Sequence, residues 1–171
     1  MASKMDLILA GPAGHILAAG TRQDLKGPQP DAAALVGDGL RIRDPVSGET
    51  RLSVVAAQLS VSTIDLREDV VMMAPRFILV DGLPEEGANP AATPAAFNGT
   101  TVTVNLPVAD PNNETTVWVY VDGGPQPIVQ KVQVAKGLTT KAEPLVLASG
   151  DYTALVLTPG CRAAIVETTI P

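Results

Sequence analysis

The chain has 171 residues, of which 46% are apolar but only 3% aromatic, with a net charge of -6 and one cysteine. That length holds one large domain, or one compact domain with a smaller or extended second unit. The acidic balance repels phosphate backbones and argues against nucleic-acid binding, and a lone thiol forms no internal disulfide. With so few rings, Val, Ile, Leu and Ala must fill the core, and β-branched side chains suit pleated surfaces. Fifteen glycines and fifteen prolines interrupt every long window. Together these features predict an all-β chain with extended arms.

In chain order, residues 5–10 (MDLILA) and 15–19 (HILAA) are apolar runs around Gly11-Pro12-Ala13-Gly14. They read as two strands about a turn, or as an arm lying on another surface. Lys4 and the apolar run after it imitate an export signal weakly, but Asp6, Gly11, Pro12, Gly14 and His15 interrupt it. No run approaches the roughly 20 apolar residues that span a membrane. The chain is therefore expected to be kept, or assembled, in the cytoplasm. Asp31 precedes Ala-Ala-Ala-Leu-Val and reads as the N-cap of one helical turn that Gly37 ends.

Residues 39–56 form the clearest hairpin of the N-terminal half. Leu40 and Ile42 alternate with Arg41 and Arg43, residues 44–48 carry turn chemistry, and Arg51-Leu52-Ser53-Val54 resumes the alternation. Arg41, Arg43 and Arg51 make a small basic group, read as a solvated strand face or a binding patch. Residues 58–66 continue as strand. Leu59 and Val61 share one parity and Ile64 and Leu66 the other, which predicts a bulge near Ser62-Thr63. Residues 69–81 read as two strand-like pieces divided by Pro75.

Residues 82–99 hold three prolines, three glycines and many alanines. They are expected to loosen into a linker at 85–99, dividing a strand-rich assembly or anchoring region, 1–84, from a second unit, 100–171. In that unit Val102, Val104 and Leu106 alternate with polar residues. Val117, Val119 and Val121 alternate with Trp118 and Tyr120, so both faces are apolar and a central strand is expected. Asp122-Gly123-Gly124-Pro125 ends it. Strands follow at 128–134, 145–148, 152–158 and 163–168, the cadence of an antiparallel sandwich.

Two segments, Val117-Trp118-Val119-Tyr120-Val121-Asp122-Gly123 and Ser149-Gly150-Asp151-Tyr152 with Val156, Thr158, Pro159 and Gly160, carry a family rhythm. Over residues 100–170 the order VYVDG, spacer, GxYxxxV-x-TPG resembles immunoglobulin-like β-sandwich modules. It is especially similar to a bacterial domain of unknown function with that signature. The resemblance implies a C-terminal immunoglobulin-like antiparallel sandwich. In many such sandwiches a tyrosine opening a late strand bonds a nearby backbone group through its hydroxyl, the place Tyr152 would take here. The alternative is an ordinary core or edge tyrosine.

Chemistry is sparse. His15 is the only histidine, it lies in a Gly/Ala-rich stretch, and no Gly-x-Ser-x-Gly elbow is present. It reads as structural or exposed, and only a Ser-Lys pair is left open as a hydrolytic device. Cys161 follows Pro159-Gly160 and reads as an incidental small residue, or as an intermolecular or reactive thiol. One Cys and one His make no zinc site of the usual kind. Asp110, Asn112 and Glu114 have calcium-loop spacing, but Thr115 and Val121 stand where Gly and Glu belong, so a polar turn is expected. Gly11–Gly14 and Gly37-Asp38-Gly39 complete no nucleotide fingerprint. Trp118, Tyr120 and Tyr152 are the candidate sugar-stacking rings, each also suited to packing. The acceptor patterns Asn98-Gly99-Thr100 and Asn113-Glu114-Thr115 read as chance loop matches.

No catalytic residue, cofactor or metal is expected, nor a nucleic-acid or membrane partner. The expected function is structural: a virion component such as a bacteriophage head decoration or capsid-stabilising subunit. It would form a homo-oligomer, a trimer for instance, and bind a capsid or other virion protein. The alternative is a bacterial surface or secreted immunoglobulin-like module that recognises glycan or protein.

Overall fold

A computed structural model describes residues 3–22, 27–43 and 50–171. The protein is all-β, and its described residues form antiparallel sheets with two short α-helices and two 3-10 turns. Strands β1 (Lys4–Ala10) and β2 (His15–Arg22) pair about the Gly11-Pro12-Ala13-Gly14 turn. Gly14 takes φ 67°, and a Cβ there would lie 2.8 Å from the Leu79 carbonyl oxygen, so the turn fits against its neighbour only as glycine. Asp31 caps α1 (Ala32–Val36) by accepting the Ala34 amide at 2.7 Å, and Gly37 ends it at φ 64°. The expected hairpin is present as β3 (Gly39–Arg43) and β4 (Thr50–Val55), with Leu40 opposite Val54 and Ile42 opposite Leu52. Its expected turn, residues 44–48, lies outside the described residues.

Strand β5 (Leu59–Asp65) runs beside β1 in unbroken register, so the bulge expected near Ser62-Thr63 is absent. The change of parity has another cause. Ile64 packs with Met5, Leu7 and Ile16 on one face of the sheet, while Leu59 packs with Leu17 and Leu157 on the other. A register shift falls instead between Ile8 and Leu9, in the β1–β2 pairing. The first strand expected in residues 69–81 is in fact a helix, α2 (Glu68–Met73). Val70 and Ala74, four residues apart, both bury against Met5, Leu7 and Phe77, and Glu68 and Asp69 suit the positive end of the helix. Burial at helical spacing overrides the strand preference of Val70-Val71. Pro75 lies in a 3-10 turn before β6 (Phe77–Val80), and β7 (Leu83–Glu86) completes a sheet ordered β5-β1-β2-β6-β7.

The stretch expected as a linker, 85–99, is largely built into the fold. Glu86 ends β7, Ala88 bridges Cys161, and β8 (Ala95–Phe97) pairs with β9 (Thr101–Asn105). Beyond it come β10 (Thr115–Asp122), β11 (Ile128–Val134), β12 (Thr140–Pro144), β13 (Gly150–Leu157) and β14 (Ala164–Ile170). One sheet is ordered β12-β9-β8 and the other β11-β10-β13-β14. Val102 and Val104 of the first face Val117, Val119, Val132 and Val156 of the second. The strand expected at 145–148 sits earlier, at β12. Leu145 and Leu147 are irregular, but their amides bond the carbonyls of Thr100 and Gly99 at 2.9 Å and their side chains enter the core.

Strand β10 is central, as its two apolar faces require. Its valines face the sandwich core, while Tyr120 joins Leu155 and Leu157 on the outer face of the sheet. That outer face is covered by Leu52 and Val54 of the hairpin and by Ala10 and Leu17 of the N-terminal sheet. The N-terminal half is therefore seated on the sandwich through shared apolar surface, each buried Leu or Val contributing about 1.5–3 kcal/mol.

Candidate interaction surfaces

The residues singled out for chemistry are mostly structural in place. His15 is 1% exposed. Its Nε2 lies 3.0 Å from the Thr158 carbonyl oxygen, and its Nδ1 is buried without a partner. Burial lowers its pKa below the ordinary imidazole value, against the opposing pull of the Thr158 and Cys161 backbone. Cys161 is buried beside that loop, and burial pushes its thiol pKa up, which keeps it in the weakly nucleophilic protonated form. Among the described residues no serine or lysine is hydrogen-bonded to the His15 ring.

Of the rings, Tyr120 is buried and stacks with Trp118 at 6.3 Å between centroids. Burial raises the Tyr120 pKa. Trp118 is half-buried, with the Lys131 ammonium 4.2 Å from its ring centre. Tyr152 is buried and donates its hydroxyl to the Ala148 carbonyl at 3.1 Å.

The Asp110 loop is the expected polar turn. Its carboxylate accepts the amides of Asn112 and Asn113 at 2.8 and 2.9 Å, bonds that lower its pKa. Asn98 works in the same way, its side-chain oxygen accepting the Thr100 and Thr101 amides at 3.1 and 2.8 Å. Among the described residues no group of three or more His, Cys, Asp or Glu is placed to hold a metal ion. No helix among them is long and apolar enough to cross a membrane.

Sequence reasoning missed a buried ion pair. Asp6, an apparent interruption of an apolar run, is 7% exposed, accepts the Thr63 hydroxyl and lies 3.7 Å from Arg22. Arg22 also donates to the Gly27 and Pro28 carbonyls at 2.8 Å, tying that segment to β2. The only hint was one acid inside an otherwise apolar run.

The basic group divides in two. Arg41 and Arg43 project from β3 into a shallow groove of about 530 Å³ bordered by Leu40, Ser53 and Val55. Arg51 belongs to a second groove with Asp122, Asp151 and Glu167, where it lies 3.4 Å from Glu167. Large apolar side chains also stand in solvent. Met72 is 83% exposed, Val146 78%, Val108 77% and Leu83 66%. The Leu106 amide bonds the Thr139 carbonyl and the Gly137 amide bonds the Asp110 carbonyl, both at 2.7 Å. These two rungs hold exposed Val108 and Leu138 at one end of the sandwich.

No family model matches this chain, and no curated protein matches it.

Proposed function

We propose that the chain is a non-enzymatic structural subunit of a virion, most simply a bacteriophage head decoration or capsid-stabilising protein that acts as a homo-oligomer. The observation that carries this reading is where the apolar surface goes. Both faces of the central strands β10 and β13 are covered internally, yet Met72, Leu83, Val108 and Val146 remain on solvent. Exposed apolar side chains distributed over a stiff β body suit contacts with neighbouring subunits. The partition of the sandwich supports the immunoglobulin-like resemblance, since the first, second and fifth of its strands form one sheet and the other four the second. The Tyr152 to Ala148 bond supports it as well. Such folds host many functions, so they inform architecture more than role.

The test is functional complementation of a particle. Particles assembled without this chain should lose resistance to heat or chelation, and added purified protein should restore it. Particles indifferent to the chain would overturn the proposal.

A further inference from the structure

Of the five asparagines, Asn98 alone precedes a glycine. Asn89 precedes Pro90, whose nitrogen has no proton to lose, and Asn105, Asn112 and Asn113 precede residues with side chains. The Asn105 and Asn113 carboxamides also donate, to the Thr93 carbonyl at 2.8 Å and to Asp110 at 3.2 Å. Asn98 is exposed at the turn that joins β8 to β9, and Gly99 within that turn takes φ 86°. A Cβ at Gly99 would lie 3.0 Å from Ile170 Cγ2, so the turn is built around glycine.

The turn gathers its donors on one atom. Asn98 Oδ1 accepts the Thr101 amide at 2.8 Å, the Thr101 hydroxyl at 2.9 Å, and the Thr100 amide and hydroxyl at 3.1 Å each. Among the described residues the Asn98 main-chain oxygen accepts no hydrogen bond, and neither Asn98 Nδ2 nor the Gly99 amide donates one. Two backbone amides and two hydroxyls aimed at a carbonyl oxygen polarise its carbon and stabilise negative charge that develops on the oxygen. The carbon so polarised is Asn98 Cγ, and the next nitrogen along the chain has no side chain beside it to block its approach.

We propose that the β8–β9 turn is a self-modification site at which Asn98 is converted to aspartate, with water as the co-substrate. The Gly99 nitrogen loses its proton to hydroxide and attacks Asn98 Cγ. A C–N bond forms and charge gathers on Oδ1. The bond from Cγ to Nδ2 then breaks, as that nitrogen takes up a proton and leaves as ammonia. Water opens the resulting five-membered imide at either of its carbonyls. Attack at Cγ breaks the new bond and leaves aspartate in an intact backbone. Attack at the main-chain carbonyl breaks the original peptide bond and leaves isoaspartate, with the backbone running through the side chain. The four donors sit on Oδ1 and not on the main-chain oxygen, so they direct water to Cγ. The aspartate product also keeps the turn, because a carboxylate accepts the same donors in shorter, charge-assisted bonds. Each conversion adds one negative charge to a chain already at -6, at one end of the sandwich. The conversion is independent of what the chain assembles with.

The experiment ages the full chain in mildly alkaline buffer, folded and in urea, and maps the peptides with a protease that cuts before aspartate but not before isoaspartate. The folded wild type should convert Asn98 with aspartate as the main product. The urea-unfolded chain, its donors dispersed, should give mostly isoaspartate. Thr100→Val with Thr101→Val removes the two hydroxyl donors and keeps both amides. With an unchanged circular-dichroism spectrum, this variant should convert about tenfold more slowly and shift towards isoaspartate. An Asn98 that stays intact in the folded chain while the unfolded chain converts would overturn the proposal. Isoaspartate as the main product of the folded chain would do the same. So would conversion of the valine variant at the wild-type rate or faster, which would mean that the four bonds restrain the side chain and do not activate it.

Discussion

His15 Nε2 lies 3.0 Å from the carbonyl oxygen of Thr158, pinning the start of β2 to the residue after β13 across 143 positions of sequence. A carbonyl only accepts, so Nε2 carries the proton, and the buried Nδ1 is the bare nitrogen. Protonating Nδ1 would place a charge in the buried joint between the two halves, where lost hydration outweighs the pull of the Thr158 and Cys161 backbone. Burial accordingly holds the folded pKa below the unfolded value of 6.5. The unfolded chain therefore takes up the proton first. The contribution of His15 to stability is complete above about pH 6.5 and declines as pH falls from there through the folded pKa. Urea titrations from pH 7.5 to 5 should show stability falling over this window in the wild type and less so in His15→Gln. Parallel pH profiles for the two proteins would contradict the assignment.

Asp6 and Arg22 are a buried pair whose partners depend on one another. Asp6→Ala removes the buried carboxylate that faces Arg22 and accepts the Thr63 hydroxyl, and should cost about 3 kcal/mol. Adding Arg22→Met should recover part of that loss. A chemical-denaturation cycle of the four proteins measures it, and a single-variant cost below about 1 kcal/mol, the range of exposed pairs, would show that the pair is effectively solvated.

The Tyr152 hydroxyl has one partner, the Ala148 carbonyl four residues earlier. Tyr152→Phe keeps the ring and removes the bond, so the expected loss is about 1 kcal/mol with an unchanged denaturant slope. A neutral substitution would mean that the ring alone fixes this corner.

Gly123 follows β10 at φ 121°, and a Cβ there would fall 2.3 Å from the Asp151 carbonyl oxygen. The contact is with backbone, so no side-chain rotation relieves it. Gly123→Ala should lower stability by about 2 kcal/mol or more, whereas Gly137→Ala, which meets open space at φ 76°, should cost less. Thermal melts of the two variants compare strain plus collision with strain alone.

Much of the sandwich was readable because its pattern and its burial coincide. Strand β10 has valines on one face and rings on the other, and that arrangement survives only in a central strand covered on both sides. The cap at Asp31 was readable because one side chain and one amide decide it. Helix α2 was not, because two valines point to strand until Val70 and Ala74 are seen to share one buried face. Strand β12 escaped because Thr-Lys-Ala-Glu-Pro is an edge with little apolar content, while the neighbouring leucines drew attention to 145–148. The basic group looked like one patch because a linear reading cannot tell that Arg51 turns to Glu167 while Arg41 and Arg43 share a groove. Strand β7 lay inside residues 82–99, whose prolines and glycines suggested a region without ladder structure.

Density-gradient sedimentation of particles from the source of this chain, followed by peptide quantification across the fractions, tests the structural role most directly. The chain should travel with the particle band at a fixed copy number relative to the major shell protein. Recovery only at the top of the gradient, with none in the particle band, would contradict it.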